Sequence, residues 1–318
     1  MIKAKLKSIY KSIRRTALEK EMWQIAIRKR DGETLYHGNG KGFRLISNSV
    51  RYWRADPFLY EKDGITYLFA ELFDRFQDKG VLAVAKVKNS GRVGRFQVCM
   101  DLPFHLSYPC LYEKDGELYM IPEARQSGEI AIYRCVSFPL KWEKDNVLCP
   151  ETGVDTTPVP EELCHSDSSF ITTINTEKDH NNNLYLISGA NADPVLLKYN
   201  DTCSRCGGYF INDCGRWLRV VQDDTNYYGC RLVFYDVNRI TEEAIDETEY
   251  LAILPPKRDC KEKEVSVSLN KTKHERKFVG IHTYNYSSRF EVIDLVRHNS
   301  RTWKVWVANT FQKMRKHE

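Results

Sequence analysis

The 318 residues are 42% hydrophobic and 12% aromatic, the composition of a folded chain, and no run approaches the roughly 20 apolar residues that a membrane-spanning helix needs. The net charge of +5 is unevenly placed: residues 1–20 carry seven basic side chains against Glu19, so the remainder sums to −1. A nearly neutral body is not the footprint of a nucleic-acid-binding domain, and ten cysteines with no apolar signal segment before them fit free thiols in a reducing, cytoplasmic compartment.

The first predicted element is a helix over residues 1–20. Ile2, Leu6, Ile9, Ile13 and Ala17 recur at steps of three and four, with lysines and arginines on the opposite face. Such a basic amphipathic helix fits an anionic surface such as the inner face of a membrane. It fits a helix packed on its own domain equally well.

Residues 21–318 read as one further domain. Its clearest signal is a repeat: DPFLYEKDGITYLFAE (56–71) returns in register as YPCLYEKDGELYMIPE (108–123). Each copy holds a short apolar strand, a Lys-Asp-Gly turn and a second strand, because glycine accepts the positive φ of a tight hairpin. A third strand follows in both copies, GVLAVAKV (80–87) and GEIAIYRC (128–135), then a segment ending near an aromatic, GRFQV (94–98) and PLKWEK (139–144). Four antiparallel strands repeated at such a period predict a β-propeller.

Weaker copies continue the pattern. NNLYLISG (182–189) with PVLLKYN (194–200) reads as the second and third strands of another blade. RWLRVVQD (216–223) with CRLVFYDV (230–237), and KFVGIHTYN (277–285) with RFEVIDLV (289–296), complete an expected five. The acidic ITEEAIDE (240–247) reads as a short helix or a connection. A β-sandwich is the competing architecture, but an in-register repeat favours the propeller.

Cys203 and Cys206 form a CxxC without the second close pair or spaced histidines that zinc requires. They read as small buried side chains, and no metal or other cofactor is expected.

In a propeller, residues at the same blade position converge at one mouth of the channel. Asp56 opens the first inner strand, Glu71 and Glu123 hold equivalent positions in two blades, and Asp155 stands where the third blade begins. Paired carboxylates are what glycosyl chemistry uses, one protonating a leaving oxygen and another activating a nucleophile. Taken singly, each also fits a turn or strand-end role. His105, Tyr108, Arg125 and His282 are candidates for holding a sugar or phosphate, the alternative being blade packing.

The run ADPFLYEKDGITYLFAE, followed by HLSYPCLYEKDGELYMIPEA, IAIYRCVSFPLKWEK and VDTTP, resembles the N-terminal domain of plant glucosamine inositolphosphorylceramide transferases and the free-standing bacterial proteins of that family. RWLRVVQDDTNYYG (216–229) is similar to its Arg-x-x-Gln-Asp…Tyr-Gly segment and GIHTYN (280–285) to its His-Thr-Tyr segment, so the resemblance spans residues 22–296. It implies a five-bladed propeller related to arabinanase- and fructosidase-type glycoside hydrolases. On that resemblance Asp56 matches the general base, and Glu123 and Asp155 match the general acid and a pKa-tuning aspartate. Arg219 and Gln222 join the substrate-binding set. The segment Arg219-Val-Val-Gln222 lacks the proline expected after the arginine, and residues 297–318 are not expected to supply the separate C-terminal glycosyltransferase domain of the plant proteins.

The expected function is therefore an intracellular role in surface-polysaccharide or glycolipid biosynthesis. The propeller mouth would bind a glycan, sugar-phosphate or glycolipid and assist or catalyse glycosyl transfer, alone or beside a partner glycosyltransferase. The alternatives are a glycoside hydrolase with Asp56 as base and Glu123 as acid, and a non-catalytic glycan-binding scaffold.

Overall fold

The computed structural model of the protein describes residues 21–298, apart from residues 31, 33–34, 39–40, 165–167, 175–182 and 271–276. The expected leader helix over residues 1–20 lies outside the described residues. Two strands open the described chain, β1 (Glu21–Lys29) and β2 (Arg44–Leu45), but their sheet is completed only at its far end. The first blade is β3 (Tyr52–Lys62), β4 (Ile65–Asp74), β5 (Lys79–Val87) and β6 (Gln97–Met100). The second is β7 (Ser107–Lys114), β8 (Glu117–Glu123), β9 (Ile130–Ser137) and β10 (Lys141–Cys149). The third is β11 (Gly153–Pro158), β12 (Ser169–Ile174), β13 (Leu184–Ser188) and β14 (Val195–Lys198), with the short helix α1 (Glu161–Cys164) after its first strand. The fourth has five strands, β15 (Ile211–Asp213), β16 (Arg216–Asp223), β17 (Arg231–Ile240), β18 (Ile245–Leu254) and β19 (Glu264–Ser266). Finally β20 (Phe278–Tyr286) and β21 (Phe290–His298) join β1 and β2 as the fifth blade. This is the expected all-β architecture of five blades.

The repeated LYEKDG builds its hairpins as the turn chemistry requires. Asp63 with Gly64, and Asp115 with Gly116, all take positive φ, so each loop is a two-residue turn whose twist matches the strands. The pairing Lys62 with Ile65 recurs as Lys114 with Glu117.

Two readings of the sequence need correction, and the closure of the ring was not read at all. NNLYLISG and PVLLKYN contain the third and fourth strands of their blade, not the second and third, because the second is β12. ITEEAIDE is no helix: residues 241–244 turn, with Thr241 accepting and donating around Ala244, and the rest opens β18. The ring is closed by residues 21–29, which pair with β21 along the whole of β1. Within that pairing the buried Arg28 meets the buried Glu291, its register partner. Among the described residues no helix is long and apolar enough to cross a membrane, and all ten cysteines are free, Cys203 and Cys206 both buried.

Candidate functional site

One local irregularity builds the mouth of the channel. In four inner strands the register slips at the same place: between Ala55 and Phe58, Ser107 and Cys110, Val154 and Thr157, and Ile281 and Tyr284. Each is a bulge with two residues facing one on the partner strand, which bends the strand and re-aims its side chains. The bulged pairs are Asp56 with Pro57, Tyr108 with Pro109, Asp155 with Thr156 and His282 with Thr283. Asp56, Tyr108 and Asp155 take φ of 48°, 46° and 52° there, a left-handed conformation that aspartate tolerates better than most residues. Proline is admitted at 57 and 109 because a bulge relieves the ladder of one N–H.

The bulges gather an acid-rich network. Asp56 Oδ2 accepts from the Tyr108 N–H at 3.1 Å and its Oδ1 from the Thr283 hydroxyl at 3.1 Å. Behind it the fully buried Asp294 accepts from the Asp56 N–H at 2.9 Å and the Thr283 N–H at 2.9 Å, and its Oδ2 lies 2.7 Å from His282 Nδ1. Trp23 from β1 stacks on the His282 ring, centroids 3.6 Å apart. Burial alone would lower the His282 pKa, but Asp294, then Asp56 and Asp155, outweigh it and raise it. Asp56, His282 and Asp294 also form the one group of three potential metal ligands found close together among the described residues, within 4.8 Å. Within this group Asp294 and His282 Nδ1 form an ion pair.

A second knot lies across the mouth. Arg205 donates to Asp155 Oδ2 through Nε at 2.8 Å and reaches Glu123 Oε2 at 3.4 Å. Gln222 Nε2 donates to the same Asp155 oxygen at 2.8 Å. Tyr228, half-exposed, lies over the Arg205 guanidinium and meets His282 edge-on. Glu123 is the more open acid, its side chain 16% exposed against 3% for Asp155. Burial, then the charge of Asp155, holds Glu123 well above the usual carboxylate range despite Arg205. For Asp56 burial raises the pKa to about 6, with His282 opposing and Asp294 and Asp155 adding to it.

Glu71 and Glu123 do occupy one register, opposite Ala55 and Ser107 just before the bulge. Thr173 holds it in the third blade, opposite Val154, and Gln222 takes the place in the fourth, its N–H bonding Arg205 O. Glu71 Oε1, Thr173 Oγ1 and Gln222 Oε1 are buried without a hydrogen-bond partner, an unusual concentration in a folded protein. His105 Nδ1 accepts from the Gly80 N–H at 2.9 Å, which leaves the proton on Nε2, 3.4 Å from Glu71 Oε1. Burial lowers the His105 pKa and, with the charges of Asp56 and Glu123, raises that of Glu71. A Cβ on Gly80 would stand 2.6 Å from Glu71 Oε1 and closer still to Leu106 O. Gly80→Ala should therefore destabilise by about 1–3 kcal/mol and displace Glu71; denaturant titration checks the first, and an unchanged midpoint would contradict it.

Three candidates stand elsewhere. Tyr108 is fully buried in the hydrophobic core, its hydroxyl tied to Thr157 Oγ1 at 2.9 Å and to the Gly208 backbone, so it offers no face to a sugar. Arg219 is also buried, its guanidinium held by Glu247 at 2.6 and 2.8 Å and by the Ser204 and Cys203 carbonyls. It steadies the segment that carries Arg205 without reaching the mouth. Arg125 is exposed in the 3₁₀ turn Arg125–Ser127, two residues past Glu123. Sequence reasoning missed Arg205, Asp294 and Trp23, and gave no role to Thr283 and Tyr228, although both stand inside the GIHTYN and RWLRVVQDDTNYYG segments.

The charge network fixes a pH dependence. Asp56, Glu71, Glu123 and His282 all have raised pKa values, so the native state binds more protons than the unfolded one and stability falls as pH rises. For Asp56, moving from 3.8 to about 6, the loss is on the order of 3 kcal/mol, complete above its folded value. Asp223 and Glu247 are shifted downward by their partners and oppose this only in more acidic solution. The melting temperature should peak near pH 5 and decline toward pH 8; a flat or rising profile would contradict the network.

The model of the family described as "Glucosamine inositolphosphorylceramide transferase 1, N-terminal" matches residues 46–264. The His-Thr-Tyr segment at 282–284 falls outside that span. Glucosamine inositolphosphorylceramide transferase 1 of Oryza sativa subsp. indica is 29% identical over 202 residues, and that of Arabidopsis thaliana 29% over 207. Each match covers 61% of this chain and 27% of the relative, so the chain spans about a quarter of their length. Among solved structures, the catalytic domain of the Coprinopsis cinerea GH62 alpha-L-arabinofuranosidase superposes with a TM-score of 0.50 at 10% identity, over 86% of this chain and 97% of that one. At that identity the likeness bears on the fold alone.

Proposed function

We propose that this chain, which belongs to the glucosamine inositolphosphorylceramide transferase 1 N-terminal family, binds a sugar, sugar-phosphate or glycolipid at the channel mouth and catalyses glycosyl transfer there. One observation carries the reading: the buried, partnerless oxygens of Glu71, Thr173 and Gln222, at one register of three blades, surround the acid network. Buried polar groups are ordinarily satisfied, so oxygens left without a partner at one register mark a place built for more than packing. The half-exposed Tyr228 ring offers an apolar face to a pyranose.

In the transfer step Glu123, whose pKa burial and the charge of Asp155 hold well above the usual carboxylate range, gives its proton to the leaving oxygen as the glycosidic bond breaks and the anomeric carbon bonds to the acceptor oxygen. Asp56, with a pKa of about 6, is ionised at neutral pH and takes the proton of the incoming hydroxyl, the poise a general base needs. With water as acceptor the same groups would give hydrolysis. Asp155, fixed by Arg205 and Gln222, adds to burial in raising the Glu123 pKa. The relatives' printed name supports transfer over hydrolysis.

A thermal-shift screen of nucleotide sugars, sugar phosphates and short oligosaccharides tests the binding. At least one class should raise the melting temperature of the wild type and fail to raise that of Glu71→Leu. A shift of equal size in both proteins, or none in either, would overturn the reading. A non-catalytic binding module is the second reading, favoured by the low exposure of Asp56 and the two hydrogen bonds its carboxylate already accepts.

A further inference from the structure

We infer that a groove between β2, the entry to β3 and the approach to β6, lined by none of the residues gathered at the channel mouth, is a second binding site whose ligand is a phosphate-bearing anion. The groove encloses about 1160 Å³ and is lined by five arginines: Arg44 of β2, Arg51 and Arg54 at the entry to β3, and Arg92 and Arg95 on the approach to β6. Among the described residues no carboxylate lines it. In a chain whose body sums to −1 beyond residue 20, that grouping is a property of the fold and not of composition.

Only Arg51 is neutralised, by Asp74 at 2.5 and 2.9 Å. Arg44 reaches the Gly91 carbonyl, and Arg54 the Ser47 carbonyl at 2.7 Å with Asn48 Oδ1 at 3.5 Å. Arg92 and Arg95 are exposed, with no ion pair to another described residue. The telling atom is Arg54 Nε, buried and without a hydrogen-bond partner. Its guanidinium stacks over Phe96 at 5.0 Å, which holds the fork in place. Burial alone acts on Arg54 and lowers its pKa, with no carboxylate answering it.

A guanidinium withdrawn from water without a counter-charge is costly, and four uncompensated ones around one concavity repel each other. An anion with several oxygens relieves both effects. Forked donors arriving from three separate segments match the oxygens of a phosphate better than the single plane of a carboxylate. The volume exceeds that of one phosphate and leaves room for the sugar or polyol that carries it. The ligand is thus a phosphorylated headgroup, free or borne on a lipid.

Calorimetric titration with inorganic pyrophosphate reads the site directly. Wild-type protein should bind saturably, and the exposed pair Arg92→Gln with Arg95→Gln should weaken binding by about tenfold or more. Arg54→Gln should weaken it comparably; should that variant fail to fold, the exposed pair still decides. Glu71→Leu should bind pyrophosphate as the wild type does, which separates this site from the mouth. Flotation with phosphatidylcholine vesicles, with and without phosphatidylinositol phosphate, distinguishes the source: arginine-dependent binding to the phosphorylated vesicles assigns a lipid headgroup, and pyrophosphate binding alone a soluble ligand. Absence of binding in both arms, binding indifferent to the arginines, or equal binding to phosphatidylserine vesicles without pyrophosphate binding would overturn the site.

Discussion

Glu123→Gln should lower glycosyl turnover by roughly a hundred- to ten-thousand-fold, the contribution of a positioned general acid, while leaving the fold intact. Glutamine keeps the shape of the protonated side chain and can still donate toward Asp155. It loses only the acid proton. The contact with Arg205, at 3.4 Å, is the weaker of that guanidinium's two carboxylate contacts, the stronger being Asp155 at 2.7 Å. Because burial already disfavours the charged form of Glu123, removing the titration should leave the melting temperature unchanged or slightly higher at pH 8. Ligand affinity, read by thermal shift, should persist. Turnover equal to wild type would return Glu123 to a structural role, and loss of binding together with turnover would favour the non-catalytic reading. Asp56→Asn is a less clean test, since the amide would set a donor against either the Tyr108 N–H or the Thr283 hydroxyl.

What the sequence disclosed was local. Asp63-Gly64 and Asp115-Gly116 specify their turns through backbone conformations that neighbouring residues cannot alter, so the first two blades are legible from the repeat. The third blade was misnumbered because β12, SFITTI, is buried at every position and shows no alternation to mark a strand with one wet face. Ring closure by β1 was invisible because it pairs residues 21–29 with 290–298, and no local pattern encodes a partner so distant. Site chemistry followed the same rule. Glu71 and Glu123 could be matched through the repeat, whereas Arg205 reaches Asp155 across 50 residues and Asp294 reaches Asp56 across 238. Arg219 and Gln222 stand in one motif, yet residues three apart on a strand point to opposite faces: Gln222 faces the mouth, where it bonds Asp155, and Arg219 the buried side, where it bonds Glu247.

Asp294→Ala should be the most damaging single substitution in the network, at about 3–5 kcal/mol, or a fall in melting temperature of roughly 10 °C. Its carboxylate accepts from the backbone of Asp56 in the first blade and of Thr283 in the fifth, and pairs with His282. Removing it leaves buried donors unpaired at the seam where the last blade meets the first. The pH dependence identifies the cause. A raised histidine pKa stabilises fully below the unfolded value near 6.5 and ceases to do so as pH rises through the folded value. The deficit of Asp294→Ala relative to wild type should therefore be larger at pH 6 than at pH 9. Asp294→Asn, which keeps one oxygen for the Thr283 N–H, should lose less stability while the His282 titration, followed by NMR, moves downward. A deficit no larger than that of the exposed Asp145→Ala, at either pH, would mean that Asp294 does not join the two blades.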